Sequence, residues 1–94
     1  MNKCYIIIYD LMAPGKNYEL LYNTIKSYGT WGKITESCWI IVTSLPATAI
    51  RDRLSLCIDR NDRLFVSRLA MPAAWRNTKA DDVWVKRILE TYGL

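Results

Sequence analysis

Histidine is absent from this 94-residue chain, which removes much of the usual catalytic chemistry. A Ser-His-Asp or Cys-His nucleophile, an imidazole acid or base and a His-ligated zinc are all excluded. The three cysteines, Cys4, Cys38 and Cys57, are an odd number, lie far apart and form no C-x-x-C. They read as reduced, small apolar residues, not as a disulfide framework or a metal site. Thr35, Ser37 and Thr43 have no base to activate them, and no S-x-x-K supplies a lysine. Gly15-Lys16 lacks the rest of a phosphate loop.

The carboxylates are sparse. Asp10 follows a strand-like run, where an aspartate commonly accepts backbone N–H bonds in an Asx-turn. Arg68 on a later strand is a candidate partner for it across a sheet. Asp59 and Asp62 read as solvated turn residues, and Glu36 as a solvated charge beside a strand edge. Among the cations, Arg51, Arg53, Arg60 and Arg63 follow one another closely enough to contact phosphates. Such contacts supply affinity without reading sequence. Asp52, Asp59 and Asp62 interrupt them, so a mixed solvated face explains the same run. Tyr5, Tyr9, Trp31, Trp39, Trp75 and Trp84 could stack on bases. Strand tryptophans and helically spaced tyrosines equally make a core. Trp31 and Trp75, in the less regular segments, are the ones expected at the surface.

Elements that must position these residues alternate along the chain. Tyr5-Ile6-Ile7-Ile8-Tyr9 is a strand expected to be covered on both faces. Ala13-Pro14-Gly15 is a turn. Tyr18, Leu21, Tyr22, Ile25 and Tyr28 then form a helical stripe, closed by Gly29. Lys33 to Ser37 and Cys38 to Thr43 read as a hairpin, and Pro46 opens a second helix whose apolar face is Ala47, Ile50, Leu54, Cys57 and Ile58. Leu64 to Leu69 is a fourth strand. Asp81 and Asp82 stand at the positive end of a last helix with the stripe Trp84, Val85, Ile88, Leu89 and Tyr92.

This order predicts one domain of α+β class: a ferredoxin-like βαββαβ sandwich over residues 1–70, a loop at 71–79 and an added C-terminal helix at 80–94. Apolar residues make up 51% of the chain, enough for a core and too many for disorder. Thirteen basic against nine acidic residues leave +4, a mild bias toward anionic partners. No apolar run approaches the roughly 18 residues of a membrane span. The start, Met-Asn-Lys-Cys-Tyr, lacks a signal-peptide pattern, so a cytoplasmic location is expected. Two helices on one sheet face leave the other face apolar as well. A second copy of the chain or the terminal helix must cover it, and a homodimer is the expectation.

Several passages resemble a known family. They are the first strand closing on Tyr9-Asp10, the helix ending at Tyr28-Gly29, Ser44-Leu45-Pro46 before a helix, and Ile58-Asp59-Arg60-Asn61-Asp62-Arg63-Leu64 before the fourth strand. Together they resemble the small CRISPR-adaptation family, the second CRISPR-associated protein. Ser27-Tyr28-Gly29-Thr30-Trp31 and Ile50-Arg51-Asp52-Arg53-Leu54 are most similar to its SinR-like relatives. The resemblance covers about residues 4 to 70.

It implies a ferredoxin-like homodimer with sheets face to face. Some members cut RNA or DNA with a divalent metal; others bind duplex DNA and only organise an assembly. The metal residue it implies is the aspartate ending the first strand, here Asp10, one from each subunit across the dimer axis. One magnesium ion held by two such carboxylates could activate a water and clamp a phosphate. Three functions are therefore in play. One is a nucleic-acid-binding, non-catalytic adaptor. The second is a magnesium-dependent endonuclease using Asp10. The third is a protein-interaction module that docks a partner through its C-terminal helix.

Overall fold

The computed structural model describes residues 1–13 and 17–94. The expected turn at Pro14-Gly15 and the Gly15-Lys16 pair lie outside the described residues. The elements are β1 (Lys3–Asp10), α1 (Glu19–Lys26), β2 (Thr30–Thr35), β3 (Cys38–Thr43), α2 (Ala47–Ser55), β4 (Arg63–Arg68) and α3 (Asp82–Tyr92). Their order follows the hydrophobic periodicity of the sequence. Pro46 stands one residue outside α2, as its extended N-cap, instead of inside the first turn. Gly29 takes a φ of +93°, the left-handed conformation that lets the chain turn from α1 into β2.

All the pairings are antiparallel, and the sheet runs β2-β3-β1-β4. Side chains alternate across it. Tyr5, Ile7 and Tyr9 of β1, with Trp39 and Ile41 of β3, face α1 and α2 and pack on Leu21, Ile25, Ile50 and Leu54. Cys4 of β1, with Ile40 and Val42 of β3, faces the other way and packs on Val85, Ile88 and Leu89 of α3. The centre of the sheet is thus covered on both sides, which is why Trp39-Ile40-Ile41-Val42 is a run without polar alternation.

The second face is therefore covered within the chain, by the terminal helix. The alternative that α3 folds back is the one realised. Two features lock α3 there. Asp81 caps it, accepting from the Val83 and Trp84 N–H groups. Gly32 of β2 leaves room for the Trp84 ring, which a Cβ at that position would strike. Coverage stops at one end, where Ile8 and its register partner Phe65 stay 42% and 60% exposed. Among the described residues, no helix is long and apolar enough to cross a membrane.

Candidate functional site

Asp10 is the last residue of β1, and its register partner on β4 is Arg63. Residues directly opposite in an antiparallel pair share a face. The Arg63 guanidinium donates to Asp10 Oδ2 at 2.9 Å in an exposed ion pair. Arg68 is not the partner. It lies opposite Tyr5, five register steps along, and donates to the Leu94 carbonyl at 2.7 Å and the Tyr92 carbonyl at 3.4 Å. Its role is to tie the end of the chain to β4. Asp10 and Arg63 share a hollow of about 260 Å³ with Ile8 and Phe65. Among the described residues no group of three or more Asp, Glu or Cys is gathered tightly enough to hold a metal.

The four arginines of the phosphate-binding reading are dispersed. Arg51 grips Asp52 with Nε and Nη2, at 2.9 and 2.8 Å. Arg53 lies over the Tyr28 ring, 5.4 Å from its centroid, and reaches Ser27 Oγ at 3.4 Å. Arg63 belongs to Asp10. Arg60 is exposed and shares a hollow of about 380 Å³ with Arg51, Ser55, Asp59 and Asp62. Only Arg51 and Arg60 of the four thus face one site.

Asp62 is not a solvated turn residue. Its carboxylate accepts the Met12 N–H at 2.6 Å, the Tyr18 hydroxyl at 3.0 Å and the Asp59 N–H at 2.8 Å. It joins the loop after β1 to the turn before β4. Glu36 also does more than shield an edge. It pairs with Lys79 at 2.7 Å and Lys33 at 3.7 Å, and the Lys79 side chain, then Lys33, holds its carboxyl below the usual carboxylate range. That bridge pins the β2-β3 turn to the loop before α3.

Three of the six aromatics considered for stacking, Tyr5, Tyr9 and Trp39, are buried and closed to ligands. The Trp39 indole N–H donates to the Tyr9 hydroxyl at 2.9 Å, and burial pushes the Tyr9 phenol up. Trp75 is half-buried and donates to Asp82 at 2.6 Å. Trp31 is the one held open, at 39% exposure on edge strand β2, with Lys26 Nζ 5.1 Å above its ring. The cysteines are all free thiols; burial pushes Cys4 and Cys38 up, away from thiolate chemistry.

Sequence reasoning did not find the neighbourhood of Trp31. Trp31 and Trp84 flank the outer edge of β2 from opposite faces of the sheet, and two hollows of about 400 and 420 Å³ meet there. The signal was present in part, since Trp31 was expected at the surface. Its companion Trp84 reads as a core residue of an amphipathic helix. Only the sheet order places it beside β2. In comparisons with known proteins, no family model, curated protein or solved structure matches this chain.

Proposed function

We propose that this is a small cytoplasmic protein that binds DNA or RNA through the phosphate backbone and does not cut it. This is the non-catalytic role that a resemblance to the CRISPR-adaptation and SinR-like proteins implies. The fold name that goes with it is ferredoxin-like. The strand order supports that name. Read from the other edge it is β4-β1-β3-β2, with α1 and α2 together on one face, the plan of a split βαβ. Free thiols suit a reducing compartment.

One observation carries the reading: Asp10 is neutralised by Arg63 at 2.9 Å. Magnesium takes oxygen ligands and is usually held by one or two carboxylates. Asp10 offers one carboxylate per chain, and its Oδ2 is already engaged by a guanidinium, so a magnesium ion there would compete with Arg63. The net surplus of basic residues then remains for an anionic partner, and Arg60 and Arg51 line one hollow together with Asp59 and Asp62. The third reading, docking through the C-terminal helix, is disfavoured because the apolar stripe of α3 is spent on the sheet.

The proposal includes a homodimer. What supports it is the apolar patch of Ile8 and Phe65 that α3 leaves open next to β4, an edge strand. The experiment is a binding titration over a salt series, run beside a nuclease assay with and without magnesium. Expected are affinity that falls steeply with salt and no cleavage. Replacing Arg51 and Arg60 with glutamine should flatten the slope by roughly two phosphate contacts per chain. Magnesium-dependent cleavage abolished by Asp10→Asn would reverse the reading in favour of the endonuclease.

A further inference from the structure

Strand β2 is an edge, and what lines it differs from the opposite edge. On the α1 side of the sheet Trp31 stands open, with its neighbour Trp39 at 5.5 Å behind it and Lys26 above it. On the α3 side Trp84 lies over Gly32, the one residue of the strand without a side chain to hold it off. The hollow beyond Trp31 is lined by Thr30, Arg87 and Thr91 and by no carboxylate. The hollow before it holds Lys33 and Lys79. Glu36 bridges Lys33 and Lys79, and Asp81 caps α3. Arg87 has no ion-pair partner among the described residues.

We infer that the β2 edge is a groove for a single-stranded nucleic acid, with a base stacked on Trp31 and the flanking phosphates held by Lys26 and Arg87. This deepens the nucleic-acid reading above and rests on it, but it uses a different surface from α2 and selects single strands over duplex. The physical logic is substitution. Lys26 now occupies the open face of Trp31 as a cation over an exposed ring, a weak contact. An unpaired base stacks on the same ring more strongly, and the released ammonium swings to the adjacent phosphate. A paired base cannot do this, because its faces are taken by its neighbours in the duplex.

An added peptide strand is the competing occupant of a free edge. It is disfavoured here because the Lys79 N–H already takes the Ile34 carbonyl at 3.0 Å. The loop before α3 therefore closes one end of β2, leaving little length to pair.

The test uses the full chain with a fluorescein-labelled oligothymidine of about ten nucleotides, a size that single-strand grooves cover. The same label on a matched duplex is the second arm. Binding of the single strand should quench tryptophan emission. Trp31→Ala should weaken it on the order of tenfold, the worth of one stacked base, and leave the duplex arm unchanged. Trp31 touches Trp39, so folding of that variant is checked by circular dichroism. Exposed Arg87→Glu, which disturbs no core contact, gives the independent loss and lowers the salt slope of the single-strand arm only. Salt-dependent binding that is indifferent to both Trp31→Ala and Arg87→Glu overturns the groove and leaves the backbone-binding reading standing. Failure of both probes to bind at low salt overturns both readings. Capture of a β-strand peptide at this edge, with no oligothymidine binding, overturns the groove in favour of the peptide.

Discussion

Removing the Leu89 side chain tests whether α3 is the cover of the second sheet face. Leu89 is 2% exposed and packs with Val85 and Ile88 on Cys4, Ile40 and Val42. Leu89→Ala deletes buried methyl groups and leaves a cavity that the rigid sheet cannot close. That class of change costs about 2–5 kcal/mol. A chain of this length has about 5–14 kcal/mol of stability in total, so the variant loses a large fraction of it. With a urea slope of about 1–3 kcal/mol per molar, a loss near 3 kcal/mol moves the unfolding midpoint down by about 1–3 M. The control is Val83→Ala on the outer side of the same helix, where Val83 is 69% exposed. It should stay within about 0.5 kcal/mol.

A second readout separates loss of α3 packing from a general weakening. The Cys4 thiol is buried beneath α3 and donates to the Leu69 carbonyl at 3.1 Å. A thiol reagent reaches it only when this face opens. If opening is what limits the reaction, a 3 kcal/mol loss raises the labelling rate on the order of a hundredfold. The burial-raised thiol also has its own pH signature. Its neutral form is favoured in the fold, so that stability is present below the unfolded thiol pKa and is lost as pH rises through the folded one. An unchanged urea midpoint and an unchanged Cys4 labelling rate in Leu89→Ala would refute the placement of α3.

Other expected outcomes concern charge and loop anchoring. Asp10→Asn breaks only an exposed ion pair and should cost no more than about 1 kcal/mol by urea unfolding; a larger loss would mean that Asp10 has a buried role. Asp62→Ala removes the acceptor of three hydrogen bonds from two backbone N–H groups and a hydroxyl. It should cost about 2–3 kcal/mol, hydrogen bonds to charged groups being the stronger kind, whereas Asp59→Ala should cost little. Glu36 has its carboxyl pKa lowered by Lys79 and Lys33. Its contribution is present above the unfolded carboxylate value and is lost as pH falls through the lowered folded one; Glu36→Gln should remove that acid-side loss from a thermal unfolding series. Gly32→Val should disturb α3, since its side chain meets the Trp84 ring, and the check is the Cys4 labelling rate.

The order of elements was legible because each apolar period is long and unmixed. The stripe of α1, the run of β3 and the stripe of α3 have one reading each. The burial of both sheet faces was legible from the unbroken apolar run of the first strand, Tyr5-Ile6-Ile7-Ile8-Tyr9. What covered the second face was not, because an amphipathic helix that folds back and one that docks a partner have the same pattern. Pairing at Asp10 was not legible either. Whether Arg63 or Arg68 meets it depends on the β1-β4 register, and a shift of a residue changes which side chains share a face. Asp62 was missed for a similar reason. Two of its three donors, Met12 and Tyr18, lie 50 and 44 residues away along the chain. No local spacing announces a carboxylate that serves loops some 50 residues away.

The position of α3 also constrains any dimer. Cys4, Ile40 and Val42 can be covered by α3 or by a second sheet, not by both. Displacing α3 would expose Val85, Ile88 and Leu89, each worth about 1.5–3 kcal/mol in burial, so a partner sheet must recover at least that before it gains anything. A twofold contact on that sheet face that leaves α3 in place can use the exposed Ile8 and Phe65 end, and Asp10 and Arg63 lie at that end. Bringing two copies together there brings two carboxylates and two guanidiniums. Four charges of balanced sign satisfy one another, and a magnesium ion entering them would have to compete with both arginines for oxygens already at hydrogen-bond distance. In such a contact Asp10, the residue that makes an endonuclease reading attractive in sequence, would be paired with guanidiniums across the seam. A dimer built this way has a measurable mark: Arg63→Gln should weaken it and, by freeing Asp10, should for the first time let magnesium tighten it.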